Sequence, residues 1–132
     1  MDKIKKTAGA LIKKDGKFLL LKRANTKIFS NYWTVPGGKI ENNENPKDAI
    51  KREVKEEANL DFKPAFFKIY NEDFPKFDWK AKVRIFHGEF TGTVGINGES
   101  SEFGWFSLDE IKKMKLAFNH KEIINDFTKN AG

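Results

Sequence analysis

Residues Gly38 to Leu60 read GKIENNENPKDAIKREVKEEANL, a segment with its own start signal, its own stop signal and a surplus of acid. Asn45-Pro46 supplies an N-cap followed by proline at the first helical position, where the missing N–H costs nothing. A helix is expected from Pro46 to about Ala58, with Ala49, Ile50 and Val54 on its core side. Lys47, Lys51 and Lys55 point elsewhere, and Glu53, Glu56 and Glu57 crowd a neighbouring face within about one turn. Like charges at i,i+4 cost roughly 0.2–0.5 kcal/mol per pair, and acids in the last turn oppose the helix dipole. A segment that keeps three carboxylates there, in a chain of net charge +6, calls for a cation to neutralise them. A hard ion such as Mg²⁺ suits all-oxygen ligands and is commonly shared with substrate phosphates.

Outward from this helix the signals alternate between strand and turn. Lys3–Lys13 and Lys17–Arg23 flank Asp15-Gly16, a hairpin signal. Asn25–Tyr32 is polar and irregular, Trp33–Val35 a short extended piece, and Pro36-Gly37-Gly38 is expected to turn sharply. Phe62–Tyr70 and Trp79–Phe90 read as strands joined by a loop, Asn71–Asp78, that contains Pro75. Thr91–Gly98 is a flexible connection and Phe103–Phe106 a short strand. Ser107 with Glu110, and Asn119 with Glu122, have the spacing of capping boxes opening a short helix and a C-terminal helix. Strands before, between and after helices predict an α/β fold, a mixed sheet with helices on both faces.

The chain has 132 residues, 39% hydrophobic and 14% aromatic, which suits a single domain over 1–132 with one core. It contains no cysteine, which excludes disulfides and thiolate metal sites. No long apolar stretch marks a signal peptide or a membrane span, so a soluble, cytoplasmic protein is expected. The lysines are scattered rather than gathered in a dense stripe, which speaks for a solvated surface and against a nucleic-acid partner.

The spacing within the acidic segment is specific. Gly38 is followed after five residues by Glu44, then after seven by Arg52-Glu53-Val54-Lys55-Glu56-Glu57, with Leu60 closing the run. This resembles the Nudix box of the Nudix hydrolase superfamily, and the approach Trp33-Thr-Val-Pro-Gly-Gly-Lys-Ile-Glu41 is similar to that of its MutT-type members. One fixed position departs: Asn59 stands where the family has its second glycine. Asn is the usual second choice for a left-handed residue after a helix end, at a cost of about 1 kcal/mol, so the helix end is expected to survive.

The resemblance implies an α/β/α sandwich with a mixed central sheet. It also implies hydrolysis, assisted by Mg²⁺ or Mn²⁺, of a nucleoside diphosphate linked to another group. Cleaving a pyrophosphate needs positioning and neutralisation of oxygens that carry charge in the transition state, which fits carboxylate-held divalent ions. By similarity, Glu53, Glu56 and Glu57 hold metal, with the Gly37 carbonyl as a further ligand. Arg52 pairs with and orients Glu53, and Glu44 is an outer member. Glu102 or Glu99 supplies one further acid, for metal or catalysis. Which glutamate is the general base varies across the family.

Candidates for substrate contact are Arg23, Tyr32, Trp33, Gly38, Lys39 and Asn119. Arg23 is as readily a surface cation at a strand end as a phosphate contact. Phe29, Tyr32 and Trp33 could stack on a base, although core burial claims at least one of them. Asn119 is most simply an N-cap, but in MutT-like proteins an Asn in this neighbourhood contacts the purine. His87 reads as structural and His120 as a surface helix residue. The favoured activity is that of a MutT-like nucleoside triphosphate pyrophosphohydrolase acting as a monomer or homodimer. ADP-ribose or a nucleotide sugar is the alternative substrate, because Pro75 sits fifteen positions after Leu60, a spacing associated with ADP-ribose pyrophosphatases. Pyrophosphate removal from RNA 5′ ends and a non-catalytic nucleotide-binding module are the other readings. Retention of Arg52, Glu53, Glu56 and Glu57 argues against the last.

Overall fold

The computed structural model describes residues 3–131; Met1, Asp2 and Gly132 of the expected 1–132 domain lie outside the described residues. Strand β1 (Lys5–Leu11) leads through β2 (Lys13–Lys14) and the Asp15-Gly16 turn into β3 (Lys17–Arg23). Both turn residues are left-handed, with φ of 52° and 77°, the geometry that matches the twist of a two-residue hairpin. After an irregular segment come β4 (Trp33–Thr34), β5 (Gly37–Lys39) and helix α1 (Pro46–Ala58). Strands β6 (Asp61–Phe74), β7 (Trp79–Thr91) and β8 (Ser100–Phe106) follow, then α2 (Leu108–Lys112) and α3 (His120–Ala131).

The strands form two four-stranded sheets rather than one. The first, in the order β5-β1-β7-β6, is mixed: β1 runs parallel to β7 and antiparallel to β5. The second joins β2, β3 and β4, with β8 added antiparallel to β3. Strand β3 explains why its sequence is a continuous apolar run. Leu19 and Leu21 enter one buried cluster with Ile50, Val54 and Ala58 of α1, while Phe18 and Leu20 enter another with Ile111 of α2 and Ile123, Ile124 and Phe127 of α3. Buried on both faces, the strands are sandwiched between α1 and the C-terminal helices, the expected α/β/α arrangement.

Helix α1 begins and ends where its caps dictate. The Asp48 N–H donates to Asn45 Oδ1 at 2.8 Å, and Asn59 takes the left-handed C-cap at φ 61°, ψ 30°. The same logic holds at α2, where Ser107 and Glu110 form a complete capping box.

Three expectations need correction. Gly37 and Gly38 lie within β5, paired to Gly9 and Ala8, so the chain bends at Pro36 and then runs as a strand. The Asn71–Asp78 loop shrinks to a single 3-10 turn at Pro75–Phe77, because past an irregularity between Phe66 and Lys68 the β6–β7 pairing runs on from Lys68 to Phe74 opposite Trp79. The second capping box does not form: Asn119 Nδ2 instead donates to the Asn71 carbonyl at 3.5 Å. Its backbone carbonyl still accepts from Ile123, which starts α3. Among the described residues no helix is long and apolar enough to cross a membrane.

Candidate active site

Helix α1 and strand β5 meet at Arg52. Its guanidinium forks across Glu44, with Nε donating to Oε2 at 2.8 Å and Nη2 to Oε1 at 3.0 Å. Nη1 donates to Glu53 Oε1 at 2.9 Å, and Nη2 also reaches the Lys39 carbonyl at 3.0 Å. One planar cation thus ties the loop before α1, the helix itself and β5 into a fixed geometry, a task suited to the rigid donor fork of arginine. These hydrogen bonds hold the Glu44 carboxyl down at about 2 and raise the Arg52 pKa above its ordinary value.

The next turn of α1 aims its acids at β5. The Gly37 N–H donates to Glu57 Oε1 at 2.7 Å, and Glu53 lies against Gly38 so closely that a Cβ there would sit 2.5 Å from Glu53 Oε2. A side chain at Gly37 would run into the carbonyl oxygen of Ala8. Both glycines therefore serve close approach, not a turn. Burial pushes the Glu57 carboxyl up to about 8, with Gly37 opposing and Glu53 and Glu99 adding to the rise. Burial likewise raises Glu53, against the pull of Arg52. Glu56 is more exposed and lies at 3.4 Å from Arg52 Nη1.

These acids open into a cleft of about 480 Å³. Glu53, Glu56, Glu57 and Glu99 all line it, as do Gly37, Gly38, Lys39 and Arg23. Arg23 is half-buried, with Nε and Nη2 donating to the Ile28 carbonyl at 3.3 Å and its guanidinium 5.2 Å over the Phe118 ring. Burial lowers its pKa, while Glu57 and Glu99 hold it up.

Several expected residues stand elsewhere. Glu102 faces Lys22 across the β3–β8 pair, its Oε2 at 3.4 Å from Lys22 Nζ, and lies outside the cleft that Glu99 enters. Trp33 packs edge-on against Phe106 at 4.9 Å and Tyr32 against Phe29 at 5.3 Å, neither of them lining the cleft. Asn119 stands beside it on Asn71. His120 is buried, not superficial. Its Nδ1 accepts from the Val35 N–H at 3.3 Å and lies 2.9 Å from Thr34 Oγ1. Burial, with Arg23 adding to it, pushes its pKa down to about 3.

Sequence reasoning missed the aromatic, acidic end of the cleft. Glu72 is 4% exposed; its Oε1 accepts from Trp79 Nε1 at 3.0 Å, and its Oε2 is buried with no partner. Burial raises its pKa, against the Trp79 hydrogen bond. Trp79 and Phe118 line the same end, their ring centroids 5.2 Å apart. The available signal was the alternation of Glu72 with Tyr70 and Phe74, two positions away on either side. Its partner Trp79 became legible only through the β6–β7 register.

A family model described as NUDIX domain matches residues 3–127. The chain is 34% identical to an ADP-ribose pyrophosphatase of Methanocaldococcus jannaschii, over 89% of this chain and 69% of that protein. It is 30% identical to an 8-oxo-dGTP diphosphatase of Buchnera aphidicola, over 92% of this chain and 90% of that one. Among solved structures, a MutT protein from Methanosarcina mazei matches with a TM-score of 0.87 at 27% identity, covering 99% of this chain and 98% of its own.

Proposed function

The chain therefore belongs to the Nudix family and is a hydrolase of pyrophosphate bonds, and we propose that it acts as a MutT-like nucleoside triphosphate pyrophosphohydrolase. Its products are then a nucleoside monophosphate and pyrophosphate. The observation that carries this reading is the convergence of Glu53, Glu56, Glu57 and Glu99 on one cleft, with Arg52 fixing Glu53 from behind.

The donor set suits a divalent cation. All the donors are hard oxygens, and burial raises Glu53 and Glu57, with the neighbouring acids adding to the rise, so a cation beside them is favoured. Among the described residues no three acids stand gathered closely enough to grip an ion unaided. Mg²⁺ asks for less, since it commonly uses one or two carboxylates together with substrate phosphates and water. Glu53, Glu56 and Glu57, with the Gly37 carbonyl, are the residues that would hold it. Such an ion would neutralise phosphate charge and lower the pKa of a water, easing the loss of its proton for attack on phosphorus.

The chain's own groups do the rest. Arg52 keeps the Glu53 carboxylate in one orientation, and the Gly37 N–H does the same for Glu57. Arg23 offers a cation at the wall of the cleft for a phosphate oxygen, and Glu99 offers the additional acid. The same reading makes the chain a single catalytic domain, cytoplasmic, working as a monomer or homodimer.

ADP-ribose is the second reading, favoured by the relative from Methanocaldococcus jannaschii that carries that activity in its name. A Mg²⁺-dependent hydrolysis screen separates the two, with products identified by chromatography. The panel holds normal and oxidised dNTPs, ribonucleotides, ADP-ribose, a dinucleoside polyphosphate and 5′-triphosphate RNA. Pyrophosphate release from a triphosphate supports the first reading, and AMP with ribose 5-phosphate from ADP-ribose replaces it with the second. Nucleotide binding without turnover contradicts both.

A further inference from the structure

We propose that Glu72 reads the nucleobase, selecting one that presents two adjacent N–H donors, as guanine does through N1–H and its exocyclic amine. The inference rests on the nucleotide-hydrolase reading above and adds a specificity-determining residue to it. The β-sheet register places the residue. Lys5 of β1, Ala81 of β7 and Glu72 of β6 form one row across the first sheet, whereas Gly37, which holds Glu57, lies on β5 at the opposite edge. Three strand spacings, about 14 Å, separate the two edges, so one cleft spans the acid cluster and Glu72, as a nucleotide lying across the sheet requires.

The chemistry at that end specifies the ligand. Glu72 Oε2 is buried without a donor, a condition that costs free energy until a ligand supplies one. Trp79 Nε1–H occupies only one of the two acceptor positions on Oε1, so both oxygens can still accept. Among the described residues the other buried side-chain acceptor without a donor is Asn119 Oδ1, whose side chain rests on Asn71, the neighbour of Glu72. Trp79 and Phe118 supply ring faces against which a base can stack. A carboxylate presents two acceptors side by side. Guanine's N1–H and amine answer both, whereas adenine and cytosine set an acceptor nitrogen against one of them.

The test is kcat/KM for GTP, ITP and ATP with wild type and Glu72→Gln. Wild type is expected to favour GTP over ITP, which lacks the amine, by about tenfold or more, the effect of one unmade hydrogen bond in a buried site. Glu72→Gln replaces two acceptors with an acceptor and a donor, so the ATP:GTP ratio should rise about tenfold, a gain that structural damage does not produce. Wild type treating GTP and ITP alike overturns the proposal even where the variant fails to fold. An unchanged base ranking in a folded Glu72→Gln overturns it too. Equal hydrolysis of all three triphosphates removes only the base reading, whereas hydrolysis of none removes the triphosphate reading and this proposal with it.

Discussion

The backbone N–H of Gly37 donates to Glu57 Oε1 at 2.7 Å, so β5 holds in place a carboxylate that burial otherwise disfavours. The hydrogen bond and the burial act in opposite directions on the same group, and burial prevails, raising it to about 8. Glu57 is a poor anion until a cation arrives beside it.

This gives a pH dependence with a definite sign. In the metal-free protein, Glu57 rises from 4.5 in the unfolded chain to about 8, so its contribution to stability is present below pH 4.5 and lost as pH climbs through 8. Glu53 acts in the same direction. His120 falls from 6.5 to about 3, so its contribution is present above pH 6.5 and lost as pH drops through 3. Urea unfolding in chelator should show stability falling above pH 6.5, with Glu57 contributing at most about 1.4 kcal/mol per pH unit. Glu57→Gln should flatten that decline, and Mg²⁺ should offset it in wild type. A decline unaltered by Glu57→Gln removes Glu57 as its cause.

The two glycines of β5 should respond differently to alanine. At Gly37 the new Cβ meets the Ala8 carbonyl, a backbone atom of the neighbouring strand, so Gly37→Ala should separate β5 from β1 and destabilise the protein by about 1–3 kcal/mol. At Gly38 the nearest atoms it meets are the end of the Glu53 side chain, so Gly38→Ala should fold and lose activity as the carboxylate is displaced. Thermal melts beside rate measurements check both. Equal losses of stability would show that Glu53 cannot yield.

Arg52→Lys keeps the charge and loses the fork to Glu44 and Glu53. Activity should fall about 10–100-fold, the usual effect of losing a group that orients a ligand rather than acting itself. Circular dichroism should stay unchanged. Full activity in Arg52→Lys would show that charge alone suffices there.

Much of this was legible where the signal is local. The helix Pro46–Ala58, its Asn45 cap and the left-handed Asn59 are written within one segment, because capping depends on neighbours in sequence. What was not legible depends on register. Trp79 falls opposite Phe74 and so carries β6 through the expected loop, and Glu102 falls opposite Lys22, which turns it away from the acids that Glu99 joins. The burial of His120 was not legible because its partner, the Val35 N–H, lies between β4 and β5, 85 residues away. Trp33 and Tyr32 found aromatic partners in packing, and Phe118 with Trp79 took the cleft instead.

On the proposed reading, the acids of α1 carry out metal-assisted hydrolysis of a nucleotide pyrophosphate bond. The most direct test is the Mg²⁺-dependent rate of wild type beside Glu56→Gln, whose exposed side chain leaves the core undisturbed. A loss of at least about 100-fold in kcat, with an unchanged melting temperature in the absence of metal, is the predicted result. Equal rates in the two proteins, or a rate that ignores Mg²⁺, would contradict it.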